Sequence, residues 1–258
     1  MSSVPAVSRA LAVLRALASR AEPVPAAVLA RDLDLPRSTV YHLLAVLEGE
    51  GFVVHLPESR AYGLGVGVFE LGSAYLRNDP LERLARPLLA NLVEQTGHTT
   101  HLGVLHGRET LYLLKDQPRG AIPLVTEVGV RLPAHLTAVG RAMLAVLPRA
   151  QVRALYPTRA EFIDRTGSGP LTPIALRELL TTERVRGWSE EDGHITTGIA
   201  SVGACVLDYG GRPAAAIGCT FPSGAIPSDA ARAELAATVR STATRLSSRL
   251  SGSRPEHS

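Results

Sequence analysis

The sequence has no apolar run near the roughly 20 residues that a membrane-spanning helix needs, and its start lacks the basic-then-apolar order of a secretion signal. A soluble, cytoplasmic protein is expected. Cysteine is nearly absent: Cys205 and Cys219 are the only two. They build no disulfide framework and lack close metal-ligand spacing, so both are expected to pack as small, reduced hydrophobes. Lysine is represented by Lys115 alone, arginine supplying the remaining cations, which is the usage of a GC-rich genome. There is no internal repeat or low-complexity segment, no G-x-S-x-G elbow and no other compact catalytic signature. An enzyme is therefore not expected, and neither catalytic residues, a cofactor nor a metal is assigned.

What is present suffices for two cores, since 258 residues with 45% hydrophobic content exceed the usual domain size of about 100–200 residues. The isoelectric point near 9.1 is consistent with nucleic-acid binding, but the net charge is only +3. Within residues 1–65 the cations Arg9, Arg15, Arg20, Arg31, Arg37 and Arg60 are matched in number by Glu22, Asp32, Asp34, Glu48, Glu50 and Glu58. Any DNA function must rest on local placement of side chains and not on bulk charge.

The first 65 residues follow a recognisable order. Ala10, Leu11, Leu14, Leu17 and Ala18 recur at helical spacing until Glu22-Pro23 ends the run. A short helix follows over 25–33 and stops at Asp34-Leu35-Pro36, because a residue before proline avoids the helical region. Pro36 opens a third helix that Ser38 or Thr39 can cap, with Val40, Leu43, Leu44 and Leu47 as its buried stripe and Gly49 or Gly51 at its close. Phe52 to His55 and Ala61 to Gly65 then read as two strands around a turn. Three helices and a hairpin make a winged helix, in which the third helix enters the major groove. Its outward residues Arg37, Ser38, Thr39, Tyr41 and His42, with Arg60 on the wing, are the expected DNA contacts.

Residues 66–78 give an apolar helical face, including Val68, Phe69, Leu71, Tyr75 and Leu76, expected to serve as linker and dimer contact; a longer helix runs to about Gln95. Beyond Gly97 the pattern turns to β-rich runs at 100–105, 110–115 and 122–128. Helices follow near 138–147, 150–155, 173–186 and 228–250, with strands near 200–208 and 213–221. His98 and His101 stand three residues apart, so on a strand their rings face opposite sides and do not form a metal pair.

Three segments together carry a family resemblance. Ser8-Arg9-Ala10-Leu11, then Leu35 through Leu44, then Glu50-Gly51-Phe52-Val53 resemble the N-terminal domain of the IclR family of transcriptional regulators. Leu132-Pro133-Ala134-His135-Leu136-Thr137-Ala138-Val139-Gly140-Arg141-Ala142 resembles one C-terminal signature of that family, and Gly187-Trp188 through Gly198-Ile199-Ala200-Ser201-Val202 a second.

The resemblance implies an α+β chain: a winged helix-turn-helix over 1–65, a linker helix over 66–78, and a GAF-like effector domain over 79–251 with a curved antiparallel sheet flanked by helices. A disordered tail over 252–258 is expected. Carried over by position, the effector pocket comprises Leu124, Thr137, Ala138, Val139, Glu191, Ile199, Ser201 and Cys219. A small organic acid suits it, with its carboxylate at the helix start near Thr137. The partners implied are operator DNA, the effector and a second copy of the chain, as a dimer or a dimer of dimers, acting as a repressor. The chain departs from the family at Ser201, where cysteine is common, at Arg141, where lysine is usual, and at His42, where arginine is frequent. Two rival classes are an enzyme using Ser201, Cys205 or Cys219 as nucleophile, and a module whose N-terminal helices dock protein instead of DNA.

Overall fold

The computed structural model describes residues 4–20, 22–78 and 80–252, and the side chains of all of these except 73–78, 80 and 252. The chain divides into two compact units, Met1–Asp79 and Pro80–Ser258.

In the first unit, α1 (Pro5–Ala18), α2 (Ala26–Asp32) and α3 (Arg37–Gly49) precede the hairpin β2 (Val53–Leu56) and β3 (Ala61–Leu64). A two-residue strand β1 (Val24–Pro25), which periodicity does not reveal, pairs antiparallel with β3 and makes the sheet order β1-β3-β2. Val13 and Leu17 of α1, Leu29 and Ala30 of α2, and Val40, Leu44 and Leu47 of α3 form one core with Val24 and Val53. Each large side chain buried there contributes about 1.5–3 kcal/mol. Asp34 turns the chain between α2 and α3 at φ 51, a left-handed position that short polar residues tolerate best. The expected side-chain cap is absent: Pro36 takes the N-cap place, with no side-chain capping bond, and Ser38 lies inside the first turn, exposed. Proline's fixed φ sets the approach, so Ser38 and Thr39 are left on the helix surface. Helix α4 (Val66–Asn78) ends the unit; the expectations on Tyr75, Leu76 and the tail after Gly252 lie outside the described side chains.

The second unit starts with α5 (Pro80–Thr96), followed by β4 (Thr99–His106), β5 (Glu109–Asp116), β6 (Arg131–Pro133), α6 (Ala138–Val146), α7 (Arg149–Leu155) and α8 (Pro173–Arg186). It continues with β7 (Ser189–Asp192), β8 (Ile199–Leu207), β9 (Pro213–Pro222) and α9 (Asp229–Gly252). The six strands form one antiparallel sheet in the order β6-β5-β4-β9-β8-β7. One face packs on α5 and α9 through Leu89, Leu92, Leu102, Ile217, Phe221, Val239 and Leu246. The other face carries α6, through Val139, Ala142 and Met143.

The stretch 122–128, expected as a strand, is irregular. Pro123 removes a ladder donor, and the chain instead reaches β5 through Gly129 N–H to the Tyr112 carbonyl at 2.8 Å and Tyr112 N–H to the Val130 carbonyl at 3.1 Å. Thr126 is buried in this segment, its hydroxyl 2.7 Å from His101 Nε2. His98 precedes β4 and His101 lies on it, and the two rings pack apart, His101 against Tyr112 and His98 against Phe221.

Helix α6 lies close to the sheet because glycines clear the ground beneath it. A Cβ on Gly203 of β8 would stand 2.8 Å from the Ala138 carbonyl carbon, and one on Gly103 of β4 2.9 Å from a Val139 methyl. Gly218 of β9 would meet the other Val139 methyl at 2.5 Å. Three neighbouring strands therefore leave a bare strip on which the N-terminus of α6 rests.

Candidate functional site

The third helix of the first unit separates its two faces sharply. Val40 and Leu44 are fully buried and Leu43 is half-buried, while Arg37, Ser38 and His42 are exposed and Tyr41 is 54% exposed. Thr39 is half-buried, on the shoulder between the faces. The exposed set offers a guanidinium, two hydroxyls and an imidazole near the helix N-terminus, all able to bond phosphate oxygens or base edges. Arg60 is exposed at the hairpin turn with φ 49. Val46, exposed further along α3, adds an apolar side chain that the sequence pattern did not single out.

In the second unit, Leu124, Thr137, Ala138, Val139, Glu191, Ile199 and Ser201 line a single cavity. The cavity is narrow, about 20 Å³, which is room for little more than one water, so a larger ligand must press the walls apart. Tyr112, Val125, Thr126, Ile195, Thr196 and Thr220 complete the lining; the sequence reading names none of them as a site residue. Leu124 reaches the cavity from the irregular segment and not from a strand.

Cys219 does not belong to this set. It is buried in the cluster on the α5 and α9 face, its sulfur 3.8 Å from Thr96 Oγ1. Side chains alternate across a strand, so Thr220, the register partner of Ser201, takes the inward place and Cys219 is turned away.

Thr137 caps α6, its Oγ1 accepting from Gly140 N–H at 2.9 Å and lying 2.9 Å from Thr110 Oγ1. The cap leaves the first-turn amides of Ala138 and Val139 with no acceptor inside the helix, at the positive end of its dipole. Opposite this polar start stands Glu191, only 3% exposed. Its Oε1 accepts from Ser201 Oγ at 2.9 Å and its Oε2 from His194 N–H at 3.0 Å, and Ser201 Oγ lies 3.0 Å from Thr220 Oγ1. Burial pushes the Glu191 carboxyl up to about 7, against the lowering effect of the two hydrogen bonds.

Beneath the cavity, Arg141 of α6 is fully buried against an equally buried Glu183 of α8, Nε to Oε1 at 3.0 Å. Its Nη1 donates to the carbonyls of His135 and Leu136, both at 3.2 Å, and Nη2 donates to the Glu190 carbonyl. Ser189 Oγ donates to Glu183 Oε2 at 2.8 Å. The cluster ties the start of α6 to β7, which carries Glu191.

The three side chains that an enzyme reading names as nucleophiles sit in the following surroundings. Burial holds the Cys205 and Cys219 thiols up at about 12, far from the thiolate that a nucleophile requires. The Ser201 hydroxyl is engaged by Glu191 and Thr220 and not by a histidine base.

Comparison with known proteins agrees across the whole length. Residues 73–248 match the family described as bacterial transcriptional regulator IclR C-terminal, and residues 6–57 match the IclR helix-turn-helix domain. The chain is 30% identical over 228 residues to the transcriptional repressor IclR of Escherichia coli, covering 88% of this chain and 83% of that one. It is 32% identical over 253 residues to a glycerol operon regulatory protein of Streptomyces griseus, covering 98% of each. A crystal structure of an IclR homolog complexed with 4-hydroxybenzoate, from Microbacterium hydrocarbonoxydans, superposes with a TM-score of 0.81 at 22% identity, over 95% of this chain and 98% of that one.

Proposed function

The chain belongs to the IclR family of DNA-binding transcriptional regulators, and from that premise we propose that it is a cytoplasmic repressor whose hold on its operator is set by a small organic acid in the cavity at the start of α6. Residues 1–65 act as the DNA reader, 66–78 as the linker, and 79–251 as a GAF-like effector domain. Arg37, Ser38, Thr39, Tyr41 and His42 approach the major groove and Arg60 the flanking phosphates. The observation that carries the reading is the division of α3 into a buried aliphatic ridge and an exposed polar shoulder.

Leu124, Thr137, Ala138, Val139, Glu191, Ile199 and Ser201 hold the effector. Support comes from their convergence on one cavity, from its mainly apolar walls with a few convergent polar groups, and from the family neighbour that carries 4-hydroxybenzoate. Fluorescence anisotropy of a labelled upstream promoter fragment, titrated with protein and then with small organic acids, tests the function. An acid that changes the wild-type binding isotherm is expected, and Ala138→Leu is expected to keep the DNA affinity while losing at least tenfold in response to that acid. Equal responses of the two proteins would remove Ala138 from the effector site.

We further propose a dimer, or a dimer of dimers, since a two-fold operator is read by a two-fold protein. Its support is α4, where Val66, Phe69 and Leu71 are 65%, 74% and 61% exposed; apolar residues that open to water suit a subunit contact. Light scattering of Phe69→Glu is expected to show a smaller particle than wild type. An unchanged mass would place the contact elsewhere.

A further inference from the structure

The cavity at the start of α6 is electrostatically lopsided. Among the residues that line it, Glu191 is the one carboxylate, and there is no lysine, arginine or histidine. The amides of Ala138 and Val139 attract an anion, yet a bound carboxylate would share a dry space with the Glu191 carboxylate. Two carboxylates in such a site do not both stay ionised.

Neighbouring groups do not relieve the conflict. Arg141, from α6, is taken up by Glu183 of α8 and by three carbonyls. On β7, Asp192 is held by Arg232 and Ser223, and Glu190 by Arg232 and Arg186. His194, whose N–H bonds Glu191, is kept neutral by burial and the nearby Arg141, its pKa drawn down to about 4. From β5 Tyr112 stays a neutral phenol, burial raising it, and from β4 His101 stays neutral, burial lowering it to about 3. Lys115 is engaged by Glu127. Among the described residues, the group facing the cavity that can change charge near neutrality is Glu191.

Resting on the effector reading above, we propose that the pocket takes an anionic effector together with one proton from solvent, which settles on the Glu191 carboxyl and turns it from a like charge into a hydrogen-bond donor toward the bound acid. Glu191 Oε1 and Oε2 each accept one hydrogen bond already, and each oxygen keeps a further site for the proton or the ligand. The sign follows from burial, which pushes the Glu191 carboxyl up to about 7 before an acid binds. Below that pH, Glu191 is already protonated, and the acid binds without taking up a proton. Above it, each pH unit weakens binding by up to about tenfold, until the midpoint in the complex is reached.

Calorimetry of the full chain with benzoate, 4-hydroxybenzoate and short 2-oxo and 2-hydroxy acids, in phosphate and in Tris, reads both affinity and proton number. For the acid that binds, the expected result is roughly thirtyfold weaker affinity at pH about 8.5 than at about 6, with proton uptake rising from near zero to about one. Glu191→Gln, its fold checked by a circular dichroism melt, is expected to bind with the same affinity at both pH values and to take up no proton. Binding that is flat with pH and proton-free, or a Gln variant that keeps the pH dependence, would overturn the coupling while leaving the pocket as the effector site. Binding that strengthens with pH would also overturn it, pointing to an ammonium group against ionised Glu191. No binding of any of these acids at pH about 6 would instead reject the organic-acid reading on which the coupling rests.

Discussion

Glu183→Ala is expected to destabilise the C-terminal unit by about 3–5 kcal/mol, read as a lower urea midpoint in a melt that follows Trp188 fluorescence. The carboxylate is the counter-charge of Arg141, and both side chains are fully shielded from water. Removing it leaves a buried guanidinium with carbonyl acceptors but no anion, and strands the Ser189 hydroxyl that now bonds Oε2. Replacing both partners with leucine is expected to recover a large part of the loss, because a buried pair is costly mainly when it is half removed. Loss of less than about 1 kcal/mol in the single variant would mean that water reaches Arg141 and that the pair does not anchor α6 to β7.

The second large effect is on DNA. Arg37→Ala combined with His42→Ala is expected to weaken operator binding by about 1–3 kcal/mol for each residue, at least about thirtyfold together. Both side chains are exposed and neither makes an ion pair among the described residues. Thermal stability should therefore stay within about 0.5 kcal/mol of wild type. A double variant that binds the operator as tightly as wild type would take both residues out of the groove.

The DNA-reading unit was largely legible because its signals are local. Val40, Leu44 and Leu47 recur at helical spacing and are buried where that spacing puts them. The hairpin was marked by a turn between two apolar runs, and the strands pair across it. Capping departs from the expectation: Ser38 is a good capping residue, but Pro36 fixes the backbone two residues earlier.

The effector unit was less legible because its site depends on long-range pairing. Which of Cys219 and Thr220 faces the cavity is decided by register with Ser201, and a one-residue slip moves every side chain to the other face. Alternation of Ile122, Leu124 and Thr126 imitates a strand, yet that segment is pinned by Thr126 to His101 and by Gly129 to Tyr112. Strand β7 reads Ser-Glu-Glu-Asp and gives no apolar signal; its place at the sheet edge comes from pairing with β8. The sequence marks Arg141 only as a departure from the family's usual lysine, and the convergence of α6, α8 and β7 is what gives it a buried partner.

The most direct test of a DNA reader on α3 is anisotropy with two labelled duplexes of equal length, the fragment upstream of the gene and a shuffled version of it, over a range of salt. The expected result is tighter binding of the native fragment by at least about a thousandfold at physiological salt, and a steep loss of affinity for both as salt rises. Equal affinity for the two duplexes, or none for either at low salt, would contradict it.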